Sequence, residues 1–296
     1  MVKKLKYLPV FRENLFEPSR ILIFVALIVV RYGEIGLKGI PIRRRFEQLL
    51  IQDLKKALTY AGVYNTITTT RGRVFIEVDD PTAASDVLNR VFGITSFSVV
   101  EETSADLPAI TTAAVSAANF AENEQFAIRV TRIGNHDFTS QDVAVTAGQA
   151  IVDVTGAPVN LGEPQHEIFI EIRDRRAFIF TERIHGPGGL PYGSQGTTIA
   201  VIQNEEDLLA AWLIMRRGCV VTIVCPKALA DQARALYPWQ NIKIHTCTQD
   251  MMSYGEEISS TSSAKAYVVG NKKFIKRSLP VFYPCLGYIV LREART

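Results

Sequence analysis

The sequence predicts a multidomain chain of mixed α/β and α+β class. Three observations support this prediction. The first hundred residues have the element order β-α-β-β-α-β, which is the split βαβ arrangement. Glycine and proline are concentrated within residues 186–196, and such a concentration is typical of a boundary between domains. Beyond that boundary strands alternate with helices, which indicates a small parallel sheet.

Length and composition restrict the kind of protein. The chain has 296 residues, of which 47% are hydrophobic and 21% charged, so it is long enough for two or three domains and too apolar for a disordered protein. No cysteine lies in a C-x-x-C pair and no two histidines have metal-ligand spacing. These patterns argue against a disulfide framework and a zinc site. We therefore expect a cytoplasmic protein without a metal.

The first domain begins with an apolar stretch between two arginines. Residues 21–30 are uniformly apolar, but they number only about half of the roughly 20 residues that cross a bilayer. They predict a buried strand within residues 21–35, and no contact with a membrane. Residues 1–20 are basic and have no clear period, so we expect an appendage. Over Pro41–Tyr60, leucine and phenylalanine recur every three or four residues, which predicts an amphipathic helix.

A hairpin, a helix and a strand complete the first domain. Thr66–Thr70 and Val74–Val78 flank a turn with a glycine, and in the second segment Val74, Ile76 and Val78 alternate with Phe75 and Glu77, which predicts a β-hairpin. A helix over Thr82–Val91 and a strand over Ile94–Val100 follow. The resulting order is ferredoxin-like, and we assign this domain to residues 21–102.

Residues 103–184 predict a second α+β domain. Its elements are a helix, a strand, a second helix and a hairpin. We expect them at Asp106–Ala121, Gln125–Thr131, Ser140–Val154, and Ile168–Arg173 with Ala177–Arg183. Asp106 is suited to cap the first of these helices.

Residues 185–196 form the predicted linker, and residues 197–296 form the predicted α/β domain. Four apolar strands and two helices account for most of this last part. The strands are Thr198–Ile202, Cys219–Cys225, Ile242–Thr246 and Ala266–Val269, and the helices are Glu205–Arg217 and Pro226–Leu236.

Positive charge is concentrated near the start of the chain. The first sixty residues contain twelve basic and five acidic residues, whereas the remainder has a slight acidic excess. This distribution favours a polyanionic partner such as nucleic acid. A solvated helix face explains the same basic residues equally well.

Three stretches, in order along the chain, resemble the tRNA 4-thiouridine synthetase (ThiI) family. They are RYGEIGLKG at residues 31–39, RVTRIGNHDFTS at residues 129–140, and GGLPYGSQG at residues 188–196 followed by AWLIMRRGC at residues 211–219. The resemblance implies that residues 103–184 are a THUMP domain. It also implies that residues 197–296 are a degenerate, shortened adenylating domain of the nucleotide pyrophosphatase type.

The resemblance implies a function as well. In this family the ferredoxin-like and THUMP domains jointly hold the acceptor end of tRNA, the α/β domain adenylates a uridine with ATP, and a cysteine persulfide delivers sulfur. The expected partner is therefore tRNA. A separate tRNA-modifying enzyme as a second partner and a homodimer are both compatible with the sequence.

Basic residues of the first two domains are the candidates for RNA contact. With one histidine and one serine at the second motif, the set is Lys38, Arg43, Arg44, Arg45, Arg129, Arg132, His136 and Ser140. Contacts of this kind to phosphates and 2′-hydroxyls suit duplex RNA and weaken with salt. The HDFTS stretch also fits a simple helix start, with Asp137 or Thr139 as the cap and Phe138 as a hydrophobic staple.

The adenylating loop departs from the pattern of the family. Where the family has Ser-Gly-Gly-x-Asp-Ser, this chain has Gln203, Asn204, Glu205, Glu206 and Asp207. Glycines allow backbone amides to close on a pyrophosphate, whereas three clustered carboxylates repel it. We interpret Asn204 as a helix cap and the acids as partners of the helix dipole. We expect no catalytic residue, Cys285 included, and no cofactor.

The leading hypothesis is a tRNA-binding protein of the ThiI family without adenylation of its own. The alternative is an active tRNA sulfurtransferase of thiouridine and thiamine thiazole biosynthesis, using ATP and Mg²⁺ at a remodelled loop. A structural or assembly protein without RNA binding is an alternative of another class. Titration with ATP separates the first two hypotheses, and a gel-shift series with tRNA tests the third.

Overall fold

The computed structural model describes residues 25–70, 72–248, 250–270 and 278–285. The chain divides into two compact units that are interleaved along the sequence. Unit 1 comprises the chain up to Val30, Tyr64–Thr82 and Ser96–His185, and unit 2 comprises Arg31–Val63, Ala83–Thr95 and the chain from Gly186 onward. The expected appendage at residues 1–20 lies outside the described residues.

One sheet of eight strands contains both the ferredoxin-like strands and those of the second domain. Its order is β2-β3-β1-β4-β7-β6-β5, and β8 pairs with β4. The strands are β1 Ala26–Tyr32, β2 Asn65–Thr70, β3 Arg73–Val78, β4 Ile94–Ser104, β5 Phe126–Ile133, β6 His166–Arg173, β7 Arg176–Phe180 and β8 Ile184–His185. Strand β4 continues four residues past its predicted end because its last residues pair with β7, from Glu101 opposite Ile179 to Ser104 opposite Arg176.

Four α-helices accompany this sheet along the chain: α1 Ile40–Tyr60, α2 Pro81–Leu88, α3 Leu107–Ala117 and α4 Ser140–Thr155. The predicted apolar face of α1 is confirmed, since Phe46, Leu50 and Leu54 are buried. Asp106 caps α3 as predicted, by accepting a hydrogen bond from the amide of Ala109 at 2.9 Å. The prediction that this helix extends to Ala121 is wrong, because the chain leaves helical geometry at Ala118.

Within the described residues the second sheet has five strands, all paired in parallel, in the order β11-β10-β9-β12-β13. The strands are β9 Thr197–Val201, β10 Val220–Cys225, β11 Lys243–Thr246, β12 Ala264–Val268 and β13 Val281–Phe282. Three helices connect them: α5 Glu205–Arg216, α6 Ala230–Ala235 and α7 Met251–Thr261. The predicted small parallel α/β domain is therefore confirmed.

Two helices of this domain differ from the predictions. The segment Pro226–Leu236, predicted as one helix, is a 3-10 turn at Lys227–Leu229 followed by α6. Helix α7 was not predicted, because serine, threonine and a glycine weaken its helical pattern. Packing compensates: Met252 and Gly255 are buried, and a β-carbon at Gly255 would lie 3.6 Å from the ring of Tyr267.

The glycine-rich linker is fixed to the end of α5. Gly189 has φ +77°, and a β-carbon there would lie 2.1 Å from the backbone oxygen of Arg216. The amide of Leu190 donates to that same oxygen at 3.0 Å. Only glycine combines this conformation with so close an approach.

Within the described ranges, no helix has the length and apolar character required to span a membrane.

Candidate nucleic-acid interface and nucleotide loop

Arg132, near the end of β5, is oriented by a histidine. Its Nη1 lies 3.3 Å from Nδ1 of His136, and Nε2 of that histidine lies 2.6 Å from the backbone oxygen of Asp174. Because a carbonyl oxygen only accepts, the network assigns the proton to Nε2 and leaves Nδ1 to accept from the arginine. In this arrangement His136 accepts at Nδ1 and holds the guanidinium.

Helix α4 begins directly after this histidine with a capping box. Thr139 Oγ1 accepts from the amide of Asp142 at 3.2 Å, and the carboxylate of Asp142 accepts from the amide of Thr139 at 2.7 Å. Of the two predicted caps, Thr139 is the one that the structure contains. Hydrogen bonds from Thr139 lower the pKa of the Asp142 carboxyl. Phe138 packs against the core beneath the helix, as a staple should, and Ser140 is the first residue of α4.

Arg129 does not lie on the same surface as Arg132. The two residues are three positions apart on β5, and alternate residues of a strand point to opposite faces of the sheet. Arg129 Nε donates to Glu167 at 2.7 Å and its Nη2 donates to the backbone oxygen of Leu161 at 3.0 Å. Its charge is thus already compensated, which the sequence pattern did not indicate.

A second group of basic residues lies at the start of α1 in unit 2. Arg43 Nε donates to Glu47 at 2.9 Å, and Glu47 also accepts from the hydroxyl of Tyr32. Lys38, Arg44 and Arg45 are exposed. Within the part of the chain that the structure describes, no hydrogen bond or ion pair engages these three side chains, so their charges face solvent.

The nucleotide loop follows β9. Asn204 caps α5 as predicted, with Oδ1 accepting from the amide of Asp207 at 3.1 Å. Asp207 is only 3% exposed, and its carboxylate accepts from the amides of Gln203 at 2.8 Å and Gly270 at 2.6 Å. All three acids lie in the first turn of α5, as expected. Glu205 and Glu206 are exposed, whereas Asp207 is turned inward, where it supplies the acceptor that these backbone amides require.

The chain also fills the space around this loop. A β-carbon at Gly270 would lie 2.5 Å from the carbonyl carbon of Glu206, so the turn after β12 packs directly on the loop backbone. The thiol of Cys285 lies 3.4 Å from the backbone oxygen of Glu206. Burial, and then the nearby charges of Glu206 and Asp207, raise the pKa of Cys285, which is opposite to what a nucleophilic thiolate requires.

The sequence analysis did not predict that Gly270 packs against the nucleotide loop. The available signal was a glycine directly after a predicted strand.

No group of three or more His, Cys, Asp and Glu side chains within the described segments is arranged to hold a metal ion.

Comparison with known proteins identifies the family. The ThiI ferredoxin-like domain family matches residues 27–98, and the THUMP domain family matches residues 101–182. A probable tRNA sulfurtransferase from Methanobrevibacter smithii is 34% identical over 254 residues, which cover 81% of this chain and 63% of that protein. The chain belongs to the ThiI family.

Further relatives of this ThiI family chain agree. A probable tRNA sulfurtransferase from Methanothermobacter thermautotrophicus is 41% identical over 206 residues, which are 67% of this chain and 52% of that protein. The chain thus spans between about half and two-thirds of the length of these two relatives. The crystal structure of PH1313 from Pyrococcus horikoshii matches with a TM-score of 0.78 at 27% identity, covering 91% of this chain and 99% of that one.

A 4-thiouridine synthetase in complex with RNA and ATP has the same fold as this ThiI family chain. The TM-score is 0.73 at 19% identity, and the match covers 92% of this chain and 84% of that one. The predicted ferredoxin-like and THUMP architecture, followed by a parallel-sheet domain, is confirmed by the family matches and the two structures together.

Proposed function

We propose that this chain binds the acceptor region of tRNA through basic residues of its ferredoxin-like and THUMP domains. The observation that carries the proposal is the orientation of Arg132 by His136 inside a THUMP domain. A guanidinium held in one direction loses little side-chain entropy when it meets a phosphate, and its planar donors match the phosphate oxygens.

The exposed basic residues just before and within the first turns of α1 support the same function. Lys38, Arg44 and Arg45 have no compensating carboxylate within the described residues, in contrast to Arg43 and Arg129. Uncompensated charges attract a polyanion, and each phosphate that is neutralised releases counterions. We therefore assign phosphate contacts to Lys38, Arg44, Arg45 and Arg132, whereas Arg43 and Arg129 contribute only if RNA displaces their glutamates.

A gel-shift series with tRNA at rising salt tests this function. Full-length protein is mixed with an unmodified tRNA transcript, or with the same transcript lacking its acceptor stem. We expect binding of the complete tRNA that weakens steeply between about 50 and 200 mM salt, and little binding of the shortened RNA. Absent or salt-independent binding would favour the structural or assembly role instead.

We further infer that the nucleotide loop does not bind ATP in the manner of the family. The amides of Gln203 and Gly270, which could meet a phosphate, are bonded to the carboxylate of Asp207. A triphosphate would have to displace a buried carboxylate and then lie beside it, and like charges in a cleft repel. The residues therefore do not fit ATP at this position. A chain of this kind would bind tRNA and leave adenylation to a separate tRNA-modifying enzyme.

The second candidate function is an active tRNA sulfurtransferase. The names of the Methanobrevibacter and Methanothermobacter relatives favour it, since both are probable tRNA sulfurtransferases. It requires ATP and Mg²⁺ to bind elsewhere on the domain or after rearrangement of the loop. Direct titration with ATP distinguishes the two functions.

A further inference from the structure

Unit 2 contains an open surface pocket of about 450 Å³ that lies outside both predicted sites. The last two turns of α1 and the loop after α6 form it. Its lining residues are Lys55, Lys56, Thr59, Tyr60, Pro238 and Trp239. None of them is acidic, so the pocket, termed here the Trp239 pocket, combines two ammonium groups with two aromatic rings.

One wall of the Trp239 pocket is fixed by a buried carboxylate. Asp53 on α1 is 1% exposed. Its Oδ1 accepts from Trp239 Nε1 and from Gln240 Nε2, both at 2.8 Å, and its Oδ2 accepts from the hydroxyl of Tyr237 at 2.5 Å. Three donors on one carboxylate hold the indole in a single orientation, so the wall is formed before any ligand arrives.

The cationic side chains at the Trp239 pocket differ in the contacts they make. Lys56 Nζ donates to the side-chain oxygen of Gln240 at 3.0 Å. Across the described ranges no hydrogen bond or ion pair involves Lys55. The guanidinium carbon of Arg90 lies 5.7 Å from the centroid of the Trp239 ring, which adds a third positive charge. These three cations outnumber the buried carboxyl of Asp53, whose charge interacts with that of Lys56, so an anionic group is favoured in this pocket.

The accessible aromatic surface belongs to Tyr60. Trp239 is 8% exposed, whereas Tyr60 is 61% exposed, and their ring centroids lie 6.3 Å apart at an interplanar angle of 55°. A planar ligand can therefore stack on Tyr60 while its edge approaches Trp239. An exposed aromatic ring beside lysines is the combination that single-stranded nucleic acids use, with bases on the ring and phosphates on the cations.

We propose that the Trp239 pocket binds an unpaired nucleotide within a strand of single-stranded RNA. The base stacks on Tyr60, and the flanking phosphates contact Lys55 and Lys56. The exposure of Tyr60 leaves the site open to solvent, which lets the strand enter and leave on either side of the bound nucleotide. This contact goes beyond the tRNA surface proposed for Arg132 and Lys38 and does not depend on it.

Fluorescence anisotropy with a short labelled oligouridine tests the proposal on the full chain. We expect the oligouridine to bind, Tyr60→Ala to weaken binding about tenfold or more, as loss of one stack predicts, and Lys55→Ala with Lys56→Ala to lower the salt slope by about 1.4. The exposed Lys227→Ala is the matched control and should leave affinity unchanged. Because Tyr60 is exposed, thermal melting should confirm that Tyr60→Ala folds normally.

Competition measurements and the Arg132→Ala variant identify which ligand binds and which surface binds it. Free UMP should compete at least about a hundredfold less well than the oligouridine, and an RNA duplex should not compete at this pocket. Arg132→Ala should keep oligouridine binding while losing affinity for tRNA, so failure of the tRNA proposal would be seen independently. Absence of oligouridine binding, binding unaffected by Tyr60→Ala, or equal affinity for free UMP would overturn the proposal.

Discussion

The carboxylate of Asp207 accepts a hydrogen bond of 2.6 Å from the backbone amide of Gly270. This contact joins the loop after β9 to the turn after β12, at the carboxyl ends of neighbouring parallel strands. That edge of an open α/β sheet is where ligands bind, and the amides there are suited to anions. In this chain the anion is a side chain of the protein itself.

We expect replacement of this carboxylate to destabilise the chain. Asp207→Ala leaves the part-buried amide of Gln203 and the buried amide of Gly270 without an acceptor, which costs about 2–4 kcal/mol in the free energy of unfolding. Urea denaturation followed by circular dichroism measures the loss. Glu205→Gln is the control, because Glu205 is exposed in the same helical turn and should change stability little. Equal free energies of unfolding for Asp207→Ala and the wild type would show that Asp207 has no structural role.

Individual basic residues should contribute separately to tRNA binding. Arg132→Ala and Lys38→Ala are each expected to weaken binding and to lower the salt slope by about one unit, since each removes one phosphate contact. Filter binding at several salt concentrations measures both quantities. Arg129→Ala should have a smaller effect, because Glu167 already compensates its charge. Unchanged affinity in both Arg132→Ala and Lys38→Ala would refute the electrostatic interface.

His136 should act by positioning Arg132 rather than by contacting RNA. His136→Ala removes the nearer acceptor of Arg132 Nη1 and leaves only the backbone oxygen of Gly134 at 3.5 Å, so we expect weaker tRNA binding with little further loss when Arg132→Ala is added. His136→Asn supplies an oxygen near the position of Nδ1 and should restore part of the affinity. The double-mutant cycle is the measurement. Strictly additive losses would mean that His136 contacts the RNA by itself.

Asp53 should make stability depend on pH. Burial raises the pKa of this carboxyl above its ordinary value of 3.8, and hydrogen bonds from Tyr237, Gln240 and Trp239 oppose the rise only in part. The folded state therefore binds the proton more tightly than the unfolded state. The stability contributed by this group is complete below about pH 3.8 and is lost as pH rises through the folded pKa.

The Asp53→Asn variant isolates this dependence. Burial, and to a lesser extent the charge of Asp53, raises the pKa values of Tyr192 and Tyr237 above 10.0, outside the acidic range, so the stability of the wild type minus that of Asp53→Asn should fall as pH rises above about 4. Denaturation at a series of pH values measures the difference, with Gln52→Ala on the exposed side of α1 as the control. A difference that is constant or rises with pH would contradict the raised pKa.

Much of the fold followed from local patterns. The periodicity of α1, the alternation of the β2–β3 hairpin and the strand–helix rhythm after the linker predicted elements that the structure contains. Helix α7 could not be predicted in this way, since its formation depends on the close packing of Gly255 against the second sheet. The long β4 depends on pairing with β7, a partner distant in sequence.

The sequence predicted which residues form the candidate nucleic-acid interface and the nucleotide loop, but it predicted the orientation of their side chains less well. The motif at residues 129–140 placed Arg132 and His136 near one helix start, which the structure contains. Arg129 and Arg132 lie three positions apart on β5 and therefore on opposite faces, whereas the ion pair of Arg129 with Glu167 depends on the pairing of β5 with β6. The inward turn of Asp207 depends on Gly270, which lies 63 positions later in the chain.

Isothermal titration of the full chain with ATP in the presence of Mg²⁺ is the most direct test of the nucleotide loop. It shows whether the carboxylate of Asp207 occupies the position of an ATP phosphate at the carboxyl ends of β9 and β12. The account predicts no binding heat at micromolar ATP, under conditions in which the same preparation binds tRNA. Saturable binding with a micromolar dissociation constant would contradict it and favour the alternative of an active tRNA sulfurtransferase.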